Sequence, residues 1–403
     1  MFESWKSLLP LPKSVWLMAL AFFVNRAGNM ALPFLMIYLT KQLGFSAATA
    51  GTLVSFYGIG ALVIAPVSGW LSDRFGEKKI MLGSLFSSGV LLLFYPYAKT
   101  YLSLLLLTLA WAVSVESFRP AAFSYLAEIV TPKDRRSAYA LCRLAINLGM
   151  SFGPAFGGFL ATQSFFTLFW VDGLTTITAG IVIALGISPI VKPTGTEHHG
   201  FFIHSFLVAL RNRPLVYLVI ALIPIMLVFF QNDSSVPLFI TRDLKLKEAT
   251  YGLIFTLNTI LIILFELPLI HATRHWPHHK SLSWGACFTS LGFGMMAFCD
   301  SFEKVMLTVV VWTLGEMLLF PALNTYVAEI APSGRRGSFM ALYNAGFSIC
   351  QILAPTLGAL VWQGFGAKVL WLFCWGIGML SGLLFWFCRA NHNAMENVTA
   401  SPA

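Results

Sequence analysis

The residues best placed to do chemistry in this chain are ionisable side chains set inside long apolar runs. Arg26, Glu116, Arg119, Arg143 and Asp172 interrupt such runs in the first half, and Asp233, Glu266 and Glu316 do so in the second. A charge in hydrocarbon costs roughly several kcal/mol unless it is paired, hydrogen-bonded or wetted, so each of these is a functional candidate. Guanidinium groups fork onto carboxylates and phosphates. A poorly hydrated carboxyl keeps its proton to higher pH than in water and can exchange it near neutrality.

Depth along the runs predicts which of these groups meet. At about 1.5 Å per residue, Arg26 lies about 18 Å from the inner end of its run and Asp172 about 20 Å, so the two are level. Arg143 and Glu116 are level too, about 9 Å and 8 Å from the same side. The depths predict two ion pairs, Arg26 with Asp172 and Arg143 with Glu116, and leave Arg119 as the unmatched cation. Pairs that only fix helix packing are the alternative, since buried charges need partners anyway. The runs of the second half hold no Lys or Arg except at their ends. Glu316, about 18 Å down its run, is the leading proton-carrying candidate and Glu116 the second; a carboxyl bonded to backbone or water is the competing reading.

The elements that must position these groups are membrane-spanning helices. Of 403 residues 57% are hydrophobic and 11% charged, against about 25% charged in an ordinary soluble domain. Runs long enough to span a bilayer, about 20 residues, occur at 14–40, 47–72, 79–97, 101–127, 137–162, 165–189, 214–240, 249–271, 281–299, 304–329, 337–362 and 367–389. The prediction is an all-α membrane protein with twelve transmembrane helices. Met1 to Lys13 has no apolar segment with a small-residue cleavage site, so both termini are expected in the cytoplasm. Sixteen Lys and Arg then fall on the inner side and seven on the outer, the positive-inside asymmetry. The net charge of +9 is thereby explained by topology, not nucleic-acid affinity.

The one long polar interruption, Ser188 to Phe206, divides the runs six and six. Expected limits are a first bundle at 1–189, a cytoplasmic linker at 190–213, a second bundle at 214–390 and a cytoplasmic tail at 391–403. Trp111 to Ser137 lies over Trp312 to Ser338 with a one-residue gap, each with a proline, Tyr-x-Ala-Glu-Ile and an Arg pair. Such duplication places a substrate site at the repeat interface near the membrane midplane. The six cysteines have no paired spacing, and the histidines at 271, 275, 278 and 279 lack Cys or carboxylate support. Neither group is read as a metal site. There is no phosphate-binding loop, nucleotide fingerprint or nucleophile constellation, which argues against ATP-driven transport and against an enzyme; no cofactor is expected.

Two motifs sharpen this. Gly69 to Lys79, GWLSDRFGEKK, fits G-x-x-x-D-R-x-G-x-K-K in the first inner loop, and Asn147 to Phe159 carries G-x-x-x-G-P-x-x-G-G. With the six-plus-six repeat, these residues resemble the major facilitator superfamily along nearly the whole chain, and its proton-coupled drug exporters in the fifth helix. The resemblance implies the major facilitator fold, two pseudo-symmetric six-helix bundles. It makes Gly69, Asp73, Arg74, Gly76, Lys78 and Lys79 a gating loop that works with Glu128 at the end of the fourth helix. Glu77 stands where the family has a basic residue, which weakens that pairing. Gly149, Gly153, Pro154, Gly157 and Gly158 would clear one face of the fifth helix for tight packing and permit a bend. A generic small-residue packing face is the other reading. The family's drug exporters also carry an Arg early in the fourth helix; here Thr108 and Trp111 occupy that region.

Helices 1, 4, 7 and 10 line the cavity in this family, which implies a lining of Asn25, Arg26, Asn29, Trp111, Glu116, Arg119, Gln231, Asn232 and Asp233. Two arginines in the first-half wall suit an anionic or amphipathic cargo. The leading expectation is a monomeric proton-coupled exporter in a bacterial-type inner membrane, working by alternating access with small molecules, protons and the bilayer as its only partners. A proton symporter importing a metabolite or metal-chelating small molecule, and a non-transporting membrane receptor or scaffold, are the competing functions.

Overall fold

A computed structural model describes residues 11–131, 134–189, 210–331 and 336–399, and every regular element among them is helical. The first six runs become α1 (Lys13–Gly28) with α2 (Ala31–Ile37), α3 (Ala47–Phe75), α4 (Glu77–Phe94), α5 (Tyr101–Glu116) with α6 (Phe118–Ile129), α7 (Arg135–Gln163) and α8 (Phe165–Gly186). The last six become α9 (Arg213–Phe229) with the one-turn α10 (Ser235–Leu238), α11 (Glu248–Ala272), α12 (His278–Met295), α13 (Phe302–Ile330), α14 (Arg336–Phe365) and α15 (Ala367–Thr399). Helix starts carry side-chain caps where the sequence offers them. Ser46 accepts from Thr49 N–H, Ser164 from Thr167 N–H and Asn212 from Leu215 N–H, each relieving one of the orphan donors of a first turn.

Eleven helical stretches among the described residues are long and apolar enough to cross a bilayer. The ninth expected span, α12, forms as a helix but is less apolar, because buried Ser281, Ser283, Thr289 and Ser290 lie along it.

Proline explains where spans are interrupted. It has no N–H to give the carbonyl four residues earlier, and its ring presses on that carbonyl. The first span breaks at Asn29 and Met30, and Pro33 follows Asn29 by four residues. The fourth breaks at Ser117, next to Glu116, and Pro120 follows Glu116 by four. The seventh unwinds through a 3-10 turn, Phe230–Asp233, and Pro237 follows Asp233 by four. Each break therefore falls on or beside a polar residue expected to face the cavity, with backbone groups released beside it.

By internal contacts the chain divides into Met1–Gly195 with Lys245–Thr259, and Thr196–Leu244 with Ile260–Ala403. In the first unit α1 packs on α7 and α8, α4 on α8 and α3 on α5; in the second α12 packs on α13 and α15, and α9 on α14 and α15. The duplication extends into irregular structure at one constant offset, which carries the π turn Tyr38–Gln42 onto Phe239–Asp243 and the 3-10 turn Tyr95–Tyr97 onto Met296–Phe298.

Candidate functional site

The break in the first span is the centre of the candidate site. Breaking the helix frees the N–H groups of Met30 and Ala31, which in a dry interior must find acceptors. Both donate to one carboxylate oxygen, Oδ2 of Asp172 on α8, at 3.0 and 2.8 Å. The Thr176 hydroxyl donates to Oδ1 at 3.4 Å. Asp172 is 2% exposed. This corrects the expectation that Asp172 pairs with Arg26. Asp172 meets the first span about one turn beyond Arg26, where the orphan amides of the broken helix claim the acid instead.

Close packing holds α1 at the same level. A Cβ on Gly149 would stand 2.6 Å from Arg26 Cβ, on Gly153 2.8 Å from Arg26 O, and on Gly157 2.9 Å from Met30 Cβ. Those distances are shorter than side chains tolerate, so the glycine stripe of α7 lets the backbone of the broken span come against it. On the other side a Cβ on Gly28 would overlap the Thr175 hydroxyl of α8. Gly158 belongs to a different contact, with Glu248 O, Ala249 and Gly252 of α11. Phe34 and Tyr251 meet edge-to-face there, and Lys41 forms an ion pair with the buried Glu248.

Arg26 is half-buried beside the break, and its Nε is buried with no hydrogen-bond partner among the described residues. Glu116 accepts a hydrogen bond from the Tyr57 hydroxyl of α3 at 2.9 Å. That partner is not the Arg143 suggested by depth; Arg143 is exposed on α7. Arg119 lies within electrostatic reach of both Arg26 and Glu116. Arg119 is exposed, with its guanidinium 5.8 Å from the Phe123 ring centre. Asn25 and Asn29 are half-buried on the same span as Arg26. Trp111 is corrected from cavity lining to packing: it is buried between the rings of Tyr57 and Tyr95, 5.2 and 6.0 Å away.

A family model described as Major Facilitator Superfamily matches residues 18–241 and 225–402. The chain belongs to the Major Facilitator Superfamily. It is a multi-pass membrane transporter of small molecules, and this superfamily is one of transporters, not enzymes. The chain is 27% identical over 91% of its length to an uncharacterized MFS-type transporter, YqjV of Bacillus subtilis, covering 89% of that protein. It is 21% identical to a Na(+), Li(+), K(+)/H(+) antiporter of Planococcus maritimus, covering 90% of this chain and 92% of the other. It is 26% identical to multidrug resistance protein 1 of Bacillus subtilis, covering 80% and 83%. Its fold matches a POT family transporter solved in complex with 5-aminolevulinic acid, with a TM-score of 0.78 at 15% identity over 95% of this chain and 97% of that one.

The superfamily's first inner loop is built around Gly76, whose φ of +88° closes α3 and opens α4, a conformation cheap only for glycine. Lys78 Nζ donates to Ala184 O at 3.0 Å and also to Ile187 O, a cation on the carbonyl end of α8 where the helix dipole favours it. Glu77, the departure from the motif, is buried in the first turn of α4, where a carboxylate suits the dipole. Arg74, Lys79 and Glu128 are exposed; the surroundings of Gly69 and the side chain of Asp73 lie outside what is described.

In the second unit Gln231 is 3% exposed and its side chain is used internally. Nε2 donates to Leu227 O at 3.1 Å and Ala354 O at 3.0 Å, and Oε1 accepts from the Ser235 hydroxyl at 2.6 Å. Gln231 is thus corrected from cargo contact to clamp of the seventh-span break. Asn232 is buried and Asp233 half-buried beside it. Glu316 is half-buried on α13. Sequence reasoning missed Tyr57, Thr176 and the amides of Met30 and Ala31. The available signal was a proline four residues after a polar residue, which marks where amides are released.

Proposed function

We propose that this transporter is a proton-coupled efflux antiporter for a small amphipathic or anionic compound, working as a monomer by alternating access. The observation that carries the reading is Arg26: a half-buried guanidinium with an unclaimed Nε donor, in electrostatic reach of Arg119, which also feels Glu116. A carboxylate or phosphate of the cargo would satisfy that donor, and Arg119 would add a second cation. Asn25, Asn29, Asn232 and Asp233 supply further polar contacts. Glu316 and Glu116 are the proton carriers, and the Gly76 loop with Asp73, Arg74 and Glu128 is the gate. Export is favoured by the glycine and proline pattern of α7 and by the relatives named as an H(+) antiporter and a multidrug resistance protein. The bundles run 1–189 and 214–390, joined by the linker 190–213, with both termini and the tail 391–403 in the cytoplasm of an inner-membrane protein.

The test is uptake of anionic and amphipathic fluorescent dyes into inverted vesicles under an imposed pH gradient. The reading requires gradient-driven uptake that Glu316→Gln reduces at least tenfold, about 1.4 kcal/mol. Uptake that ignores the gradient, or a fully coupled Glu316→Gln protein, defeats it.

A further inference from the structure

We propose that Asp172 is a proton-binding site, and that its charge state sets how firmly the break in the first span is held. This deepens the proton-coupled reading and rests on it for its consequence in transport. The geometry carries it. One carboxylate oxygen holds both amides released at the break, and the other faces only a long Thr176 hydroxyl contact of 3.4 Å. N–H bonds to an ionised acceptor are roughly twice as strong as neutral ones. A proton added at Oδ1 leaves both amide bonds in place geometrically but converts them to neutral bonds. The clamp then loosens without any group leaving.

No cation intervenes. The three hydrogen bonds to the Asp172 carboxylate come from Met30, Ala31 and Thr176, and among the described residues it forms no ion pair. Tyr57 on α3 is the titratable group that feels the charge of Asp172, together with those of Glu116 and Arg26. From α4, Gly89 packs on Gly173; from the 3-10 turn, the Tyr95 hydroxyl is bonded to Thr108; Tyr38 of the π turn lies tilted against Phe165 and edge-on to Phe169. The face of α7 toward the break is glycine, and Lys78 sits at the far end of α8 on Ala184. Loosening at Met30 and Ala31 acts one helical turn from Arg26, so a proton on Asp172 reaches the cargo cation through the backbone. Asp172 is a positioning residue in this scheme, not a cargo contact.

Hydrogen exchange of the full chain in lipid nanodiscs tests this directly, read on the amides of Met30 and Ala31 and corrected for intrinsic rates. In the wild type, protection should fall at least tenfold from about pH 8 to about pH 5 as the carboxylate is neutralised. Asp172→Asn keeps an oxygen acceptor for both amides but cannot titrate, and should give the same protection at both pH values. Asp172→Ala should be poorly protected throughout. A protonated-carboxyl infrared band that grows on acidification should be present in the wild type and missing in Asp172→Asn. Flat protection in the wild type, or an Asn variant that follows the wild-type profile, overturns the proposal. Neither readout depends on transport, so a wild type that shows no gradient-driven dye uptake would defeat the efflux reading and leave this result standing.

Discussion

The first and seventh spans break at matching places in the repeat, yet the two breaks are held by different chemistry. In the first, an acid from another helix, Asp172, takes the released amides of Met30 and Ala31. In the second, an amide side chain inside the break, Gln231, ties back to Leu227 O and across to Ala354 O. The packing partner differs accordingly. The glycine stripe of α7 lies against the bare backbone of the broken first span, whereas at the matching place in α14 a Cβ on Gly358 would overlap the Gln231 amide. A carboxylate can be neutralised by a proton, and an amide cannot. The duplicated scaffold is thus clamped at one break by a carboxylate, Asp172, and at the other by an amide, Gln231.

Removing each clamp should break the comparison most visibly. Asp172→Ala leaves two buried N–H groups without their acceptor and should destabilise by about 3 kcal/mol, at roughly 1 to 3 per orphaned group. Gln231→Leu should cost about 2 kcal/mol, because carbonyls that lose a donor are less demanding than orphaned N–H groups. Denaturation of the two variants in detergent would order them, and an equal or reversed order would undo the distinction. Next come the packing positions. Gly153→Ala places a Cβ against Arg26 O, so roughly 1 to 3 kcal/mol of overpacking is expected. The residue that matches it in the repeat, Ala354, already carries a Cβ, so Ala354→Gly should change stability by less than about 1 kcal/mol.

Smaller effects sharpen the contrast further. Tyr57→Phe removes the hydroxyl donor of Glu116 and should cost about 1 kcal/mol in stability, with a larger effect on gradient-driven dye uptake than on folding. Lys41→Gln breaks the pair with Glu248, but Lys41 is 56% exposed, so a stability change of about 0.5 kcal/mol or less is expected. A loss above about 2 kcal/mol in thermal denaturation would mean that this pair, and not the glycine contact of Gly158 with Gly252, fastens the start of α11.

The glycines of α7 were legible in the sequence because a stripe of small residues has one physical use between membrane helices. Arg26 and Glu116 were legible because a charge in an apolar run needs an account. Depth counting brought Asp172 to within about one turn of its contact and gave it the wrong partner, since it treats a helix as an unbroken rod and ignores amides freed by a proline. Gln231 misled for a related reason: polarity says that a residue needs a hydrogen bond, not whether the cavity or the fold supplies it.

The sequence by itself determined the superfamily, the twelve helical segments and the duplication, because apolar run length, charge placement and glycine spacing are local properties that one chain displays directly. Only the tertiary structure decided which acid holds which backbone. Asp172 and Met30 are far apart in the chain, and their meeting depends on where Pro33 interrupts one helix and how closely glycines let two others approach it. Hydrogen-bond partnership in a dry interior is settled by the nearest unsatisfied donor, and nearness is a property of the folded molecule.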